Sequence, residues 1–150
     1  MAVGPFLSHD AGYAALLNSG NWASDAYYAV LSTTGTDPNR ATHNTFNDIP
    51  NKLSVAGDYN HQALASKTAT VESTKVRFTC GKITFTSSGS ITARYLHIVK
   101  GTAASPQSAD AVLGSIDLDG AGNASSINAE FSFTPHANGL FEIERTAAPA

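Results

Sequence analysis

The chain has 150 residues and a mass of 15.6 kDa, which suits a single domain over residues 1–150 with one sizeable core. Charged residues make up only 14% of it, against roughly a quarter in typical soluble domains, and the net charge of −3 comes without any run of Lys or Arg. This composition argues against nucleic acid or an anionic membrane as a partner, and the single cysteine, Cys80, excludes an internal disulfide.

The first twenty residues carry no targeting pattern and one short helical pattern. Residues 1–7 lack the basic region and apolar run of a signal peptide, and no apolar stretch approaches the roughly 20 residues that span a bilayer. We therefore expect a protein that is made in the cytoplasm and is not inserted in a membrane. Tyr13, Leu16 and Leu17 are spaced i, i+3 and i+4, which predicts a short helix that ends at Gly20.

A buried strand and a long polar segment follow. Residues 25–33 are apolar on both faces, which predicts a strand covered on both sides. Residues 34–62 are too long and polar for an ordinary connection, so we interpret them as a loop or arm that binds a partner and expect residues 36–48 to be removable without unfolding. The candidate protein-interaction residues within this segment are Asp37, Pro38, Asn39, Arg40, His43, Phe46, Tyr59 and His61.

The next part of the chain alternates between apolar and polar residues, as strands do. Residues 75–80 and 82–87 each have one apolar face, and Cys80-Gly81 between them predicts a tight hairpin. Ser87 to Ser90 form a further turn before the long strand 91–101.

The C-terminal third predicts three more strands. These are residues 111–120, residues 126–134 and residues 140–145, with Ile127, Ala129, Phe131 and Phe133 on one face of the middle strand and a turn at Asn138-Gly139. Residues 146–150 are expected to be a flexible tail. About eight short strands with one helix leave no room for parallel βαβ units, so we predict a mainly β, antiparallel β-sandwich of jelly-roll or immunoglobulin-like type.

Side chains that could carry out chemistry are few and poorly arranged. No Gly-x-Ser-x-Gly elbow is present, and Cys80 lies on the apolar face of its strand. The histidines at 9, 43, 61, 97 and 136 show no short metal-binding spacing, and His97 is interpreted as a satisfied core or interface residue.

The carboxylates give no stronger signal. Asp117 and Asp119 precede Gly120 but lack the later ligands of a calcium loop, and Glu142 and Glu144 suit the wet face of a strand better than a glycosidase pair. We therefore predict no catalytic residue, no metal, no cofactor and no enzymatic activity.

An ordered set of motifs resembles a known family. The strings are "YAALLNSGNW", "DAYYAVLSTTGTDPNRATHNTFNDI", "ITARYLHIVKGTAASPQSADAVLGSIDLDG" and "FSFTPHANGLFEI", which together cover most of residues 13–143. The chain is thereby similar to small structural proteins of tailed bacteriophages, described as capsid decoration (cement), head-fibre or minor tail proteins. The resemblance implies a virion component made in the host cytoplasm.

Three functions remain open at this point. The favoured one is a decoration protein that forms a dimer or trimer on the capsid surface, binds the outside of the major capsid protein and stabilises the head. The alternative is a tail, baseplate or head-fibre accessory protein, which copy number per virion would distinguish. A less favoured possibility is a host-glycan-binding module that uses Trp22, Tyr27, Tyr28, Tyr59 and Tyr95 as stacking aromatics.

Overall fold

The fold is mainly β and is built from several small antiparallel sheets. The computed structural model describes residues 3–10, 12, 16, 20–72, 74–120 and 122–144. Their strands are β1 (Phe6–Ser8), β2 (Tyr27–Ser32), β3 (Gln62–Ala63), β4 (Thr68–Glu72), β5 (Lys75–Thr79), β6 (Ile83–Thr86), β7 (Thr92–Ala93), β8 (Tyr95–Lys100), β9 (Val112–Asp117), β10 (Ala124–Ser125), β11 (Phe131–Phe133) and β12 (Phe141–Glu144). A single 3₁₀ turn, Phe46–Asp48, interrupts the long segment after β2.

The largest sheet has five strands in the order β1-β9-β8-β2-β3, all antiparallel. Every residue of β2 is buried, as are all but the last residues of β8 and β9. A strand that is apolar on both faces needs cover on both sides, and the structure supplies it. The strand predicted over residues 25–33 is therefore confirmed.

The main core lies between one face of this sheet and the smaller sheets β12-β5-β4 and β11-β6. The five-stranded sheet contributes residues such as Leu31, Leu96 and Leu113, and the smaller sheets contribute mostly aromatic rings. Those rings include Phe78, Phe85, Phe131, Phe133 and Phe141, and the Phe78 and Phe141 rings stack with centroids 4.6 Å apart.

The first strand depends on one glycine. A Cβ atom on Gly114 would lie only 2.0 Å from Phe6 Cζ, so only glycine lets the Phe6 ring cross β9. The ring then stacks on Phe141 at 4.9 Å, which joins β1 to the smaller sheets.

The predicted hairpin at Cys80-Gly81 is wrong. β5 pairs with β4 and β12, while β6 pairs with β11, so the two strands belong to different sheets. The backbone N–H of Gly81 donates to Ala65 O (2.9 Å) instead of closing a turn between them. Cys80 is buried, which raises the pKa of its thiol to about 11 and suits a purely packing role.

The predicted strand over residues 126–134 is also shorter than expected. Only Phe131–Phe133 is a strand, and Ile127 is 78% exposed rather than buried with the phenylalanines. Asn128 has φ +49°, a left-handed conformation that breaks the alternation before Phe131.

Two further expectations concern the ends of the chain. Tyr13 and Leu17 of the predicted helix lie outside the described residues, and so does the tail 146–150, whereas Leu16 is described and packs in the main core. Within the described residues, no helix combines the length and the apolar character that crossing a membrane requires.

Candidate functional site: a segment fixed on the sheet

Residues 34–61 form a covering segment that crosses the outer face of the five-stranded sheet with Phe46 and Ile49 and reaches the main core at its end with Leu53 and Tyr59. On one side the Thr33 N–H donates to Asn51 O (3.1 Å) and the Leu53 N–H donates to Leu31 O (3.0 Å). On the other side the Phe46 N–H donates to Asp110 O (2.8 Å). Backbone hydrogen bonds thus hold the segment at two separate places, next to β2 and next to β9.

A second, smaller core lies beneath this covering segment. Val30, Val99 and Val112 are fully buried on the outer face of the sheet, and Ile49 of the segment packs on them with 3% of its surface exposed. Phe46 is half-buried and packs against this cluster. Burial of apolar surface is the main favourable term in folding, so the segment is an integral layer of the domain. We therefore now expect the loss of residues 36–48, which include Phe46, to uncover part of this second core and destabilise the domain, contrary to the expectation from the sequence.

The residues named from the sequence fall into three groups, of which the first lies at the start of the segment. Asp37 accepts a hydrogen bond from the Tyr95 hydroxyl. Asp37 and Pro38 line a cavity of about 220 Å³ together with Arg94 and Asp117. Arg94 Nη2 donates to Asp117 Oδ2 at 3.0 Å, and that charged neighbour helps to hold the pKa of the Asp117 carboxyl below its usual value against the opposing effect of burial.

The second group forms a tight turn. The Asn39 side-chain oxygen accepts hydrogen bonds from the Ala41 N–H (3.0 Å) and the Thr42 N–H (3.2 Å), and His43 Nδ1 accepts one from the Asn39 N–H (2.9 Å). Arg40 points outwards, where its Nε lies 3.3 Å from Asp10 Oδ1. Both side chains of that ion pair are more than half exposed, so it contributes little to stability.

The third group is an aromatic cluster at the end of the segment. The ring of His61 lies edge-on to Phe46 and to Tyr59, with centroids 5.5 Å away in each case. Tyr59 is only 6% exposed, and its oxygen accepts the Leu31 N–H (2.9 Å) while its hydroxyl donates to His61 Nδ1 (2.9 Å). Tyr59 therefore supports the segment from below and is not available to a partner.

Two tyrosine hydroxyls offer a matched test of this part of the core. Tyr27 Oη is buried without a hydrogen-bond partner among the described residues, whereas Tyr59 Oη has two. We expect Tyr27→Phe to leave the free energy of unfolding unchanged or raise it by up to about 1 kcal/mol, and Tyr59→Phe to lower it by about 1–3 kcal/mol. Urea unfolding of both variants measures this, and an equal loss in both would contradict the assignment.

A chain of buried polar side chains joins the covering segment to the sheet. Ser32 Oγ lies 2.8 Å from His97 Nε2, and His97 Nδ1 lies 2.7 Å from Ser115 Oγ. Ser115 Oγ in turn lies 2.8 Å from His9 Nε2, and His9 Nδ1 lies 2.6 Å from the carbonyl oxygen of His43. All four side chains are at most 2% exposed. We call this set, Ser32, His97, Ser115 and His9, the histidine–serine chain.

One carbonyl group fixes every proton in the histidine–serine chain. The His43 oxygen only accepts, so His9 Nδ1 must carry a hydrogen and, in the neutral ring, Nε2 must accept. Ser115 therefore donates to His9, which requires His97 Nδ1 to donate to Ser115. His97 Nε2 then accepts from the Ser32 hydroxyl. Each ring nitrogen is satisfied in this single arrangement.

Burial keeps the rings of His9 and His97 neutral. Removal from water lowers the pKa of His97 to about 3, and the nearby Lys52 ammonium group acts in the same direction. Burial also lowers the pKa of His9, although the bond to the His43 carbonyl opposes this. Protonation would turn the Nε2 acceptor of either ring into a donor and reverse its hydrogen bond with the serine hydroxyl, so the arrangement described above exists only while both rings are neutral.

Only part of this arrangement could be predicted from the sequence. His97 was expected to be a satisfied core or interface histidine, and its ring is buried with both nitrogens bonded. No role was predicted for His9, Ser32 or Ser115. The available signal was the presence of Ser32, His97 and Ser115 in three strands that are otherwise almost wholly apolar.

The comparisons with known proteins add no relative to this description. No protein-family model matches the chain, and neither a curated protein nor a solved structure matches it.

Proposed function

We propose that this chain is a structural protein of a tailed-phage virion that decorates the capsid by binding the outer surface of the major capsid protein. In this role it stabilises the head and has no enzymatic activity. We also propose that its sheets form the two layers of a β-sandwich, with the main core between the five-stranded sheet and the smaller sheets. The ordered motifs described above, which resemble such virion proteins, support the choice of class.

The observation that carries a binding role is the fixed conformation of the covering segment. Its backbone is bonded to the sheet on two sides, and Ile49 anchors it, while Asp37, Asn39 and Arg40 remain exposed at its surface. A surface that is already ordered loses little conformational entropy when a partner binds. It is therefore suited to hold a rigid protein lattice.

The surface area of the molecule is large enough for this role. A standard protein interface covers about 800 Å² on each partner, which is roughly a tenth of the 7717 Å² surface of this chain. One such contact per copy is moderate by itself. Many copies on one shell, particularly if linked to each other, would reinforce the head through multivalency.

The buried positions of the reactive side chains and the aromatic rings favour binding over the other options. Ser115 and His97 are at most 2% exposed, so a substrate has no access to the hydroxyl or to the ring beside it. The five aromatic residues considered for glycan stacking are all at most 8% exposed, so their ring faces are covered by neighbouring parts of the protein. Exposed stacking faces are what a carbohydrate site on these residues would need.

The test is the location and copy number of this protein in purified virions that encode it. We expect quantitative mass spectrometry to find hundreds of copies, and electron cryo-microscopy to place them on the outside of the shell. A handful of copies at the tail would replace the proposal by a tail or baseplate role, and absence from the particle would overturn both.

A pair of charge reversals tests which face binds. Arg40→Glu changes an exposed residue of the covering segment, and we expect it to lower occupancy on heads lacking the protein at least tenfold. Lys82→Glu is the matched control, because Lys82 is similarly exposed and also ion-paired, with Glu130 at 2.6 Å, but lies directly before β6. Equal binding by Arg40→Glu and wild type would show that this face does not contact the shell.

A further inference from the structure

The outer edge of β4 is exposed and open to pairing with another strand. In the sheet β12-β5-β4, β5 is central and no described strand pairs with the far side of β4. The first four residues of β4, from Thr68 to Val71, are exposed, and Val71 is 79% exposed. A strand in this position presents a row of free backbone N–H and C=O groups to any strand that approaches.

The other described edge strands are shorter than β4, whose one charged residue, Glu72, lies at its end. β1 and β3 have three and two residues, and β12 carries Glu142 and Glu144 within four residues. β4 has five residues, contains no Lys or Pro, and keeps an unbroken register with β5 from Thr68↔Thr79 to Glu72↔Lys75. Bulges, prolines and lysines are the features that normally prevent edge-to-edge pairing.

We propose that a second copy of this chain occupies this edge, and that β4 pairs antiparallel with β4 of the partner around a two-fold axis at Thr70. In this register each Ala69 lies opposite the Val71 of the other copy, and each Thr68 lies opposite the other Glu72. The pairing joins two three-stranded sheets into one of six strands. A two-fold contact of this kind closes on itself and does not propagate into a fibre.

The side chains of β4 favour a copy of itself as the occupant. Ala69 and Val71 share a face with Val76 and Phe78 of β5, so the pairing places apolar side chains against apolar ones. The only charge on the strand is Glu72, which already forms an ion pair with Arg77 at 2.8 Å. The two Glu72 residues would be four positions apart, or about 13 Å at about 3.3 Å per residue, which exceeds the roughly 10 Å screening length at 0.1 M salt.

The experiment is sedimentation of the purified chain over a range of concentrations, with charged variants at the two paired positions. We expect wild type to show a monomer–dimer equilibrium. Val71→Lys and Ala69→Glu should each raise the dissociation constant at least tenfold. In each variant the two-fold axis brings two like charges close together, and they repel each other. An equimolar mixture of the two variants should restore association, because the carboxylate introduced in one chain then lies opposite the ammonium group introduced in the other.

Ile127→Lys is the control, since Ile127 is 78% exposed but lies outside β4. It should dimerise as wild type does, and all variants should keep the wild-type circular dichroism spectrum and, at concentrations where wild type is monomeric, its melting temperature. A wild type that stays monomeric at millimolar concentration would overturn the proposal, and so would dimerisation that Val71→Lys leaves unchanged. The measurement needs only this chain, so its result is independent of where the protein lies in a virion.

Discussion

The free energy of unfolding is expected to fall steeply as the pH decreases from 7.5 to 5. His97 is neutral in the fold with a pKa of about 3, whereas its pKa when unfolded is near the ordinary value of 6.5. Between these two pKa values the unfolded state binds a proton that the folded state does not bind. The contribution of neutral His97 to the free energy of unfolding is therefore present above pH 6.5 and is lost as the pH falls towards 3. His97 alone should account for about 2 kcal/mol between pH 7.5 and 5. His9, whose pKa is lowered in the same direction, adds to this loss.

Urea unfolding at several pH values measures this dependence, and the window above pH 5 isolates the histidines. The pKa values of Asp117, Glu130 and Glu142 are lowered in the fold, so these carboxylates destabilise only at more acidic pH. His97→Gln should reduce the slope by about one proton. Constant stability between pH 7.5 and 5 would show that the buried rings are not held neutral.

Ile49→Ala should destabilise the whole domain by about 3 kcal/mol, because truncating a buried Ile leaves a cavity that the surroundings fill only in part. Ile49 is 3% exposed and packs on Val30, Val99 and Val112 of the sheet. Since backbone bonds hold the covering segment on both sides, we expect one cooperative transition at lower urea concentration rather than local detachment. Fluorescence and circular dichroism should report the same midpoint.

Val55→Ala is the matched control for this substitution. Val55 is also a β-branched residue of the covering segment, but it is 53% exposed, and truncating it should change stability by no more than about 0.5 kcal/mol. If Ile49→Ala proved as mild as Val55→Ala, the segment would be a separable arm, as its sequence had indicated.

The strands with strong local patterns could be predicted from the sequence, and the pairings between them could not. Residues 25–33 and 140–145 contain β2 and β12 because their apolar residues define buried faces on their own. The error at Cys80-Gly81 arose because a turn residue between two alternating runs looks the same whether the runs pair or separate. The pairing of Phe78 with Phe141 depends on segments far apart in the chain.

The covering segment was located from the sequence, but its packing on the sheet was not predicted. Its length and polarity over residues 34–62 indicated a loop. The two residues that pack on the sheet, Phe46 and Ile49, are isolated apolar residues in this polar segment and form no recognisable pattern. β4 was missed for a related reason, since four of its five residues are exposed and only Ala69 and Val71 alternate with polar residues. The histidine–serine chain needs four segments to converge, so single polar residues within apolar strands were its only local sign.

The most direct test of this account is nitrogen NMR of the histidine rings in the wild-type protein. We predict that His9 and His97 both carry their hydrogen on Nδ1, with Nε2 unprotonated, at pH 7, and that His97 remains neutral at pH 5. A hydrogen on Nε2 of either ring at pH 7, or a doubly protonated His97 at pH 5, would contradict the proton arrangement that joins the covering segment to the sheet.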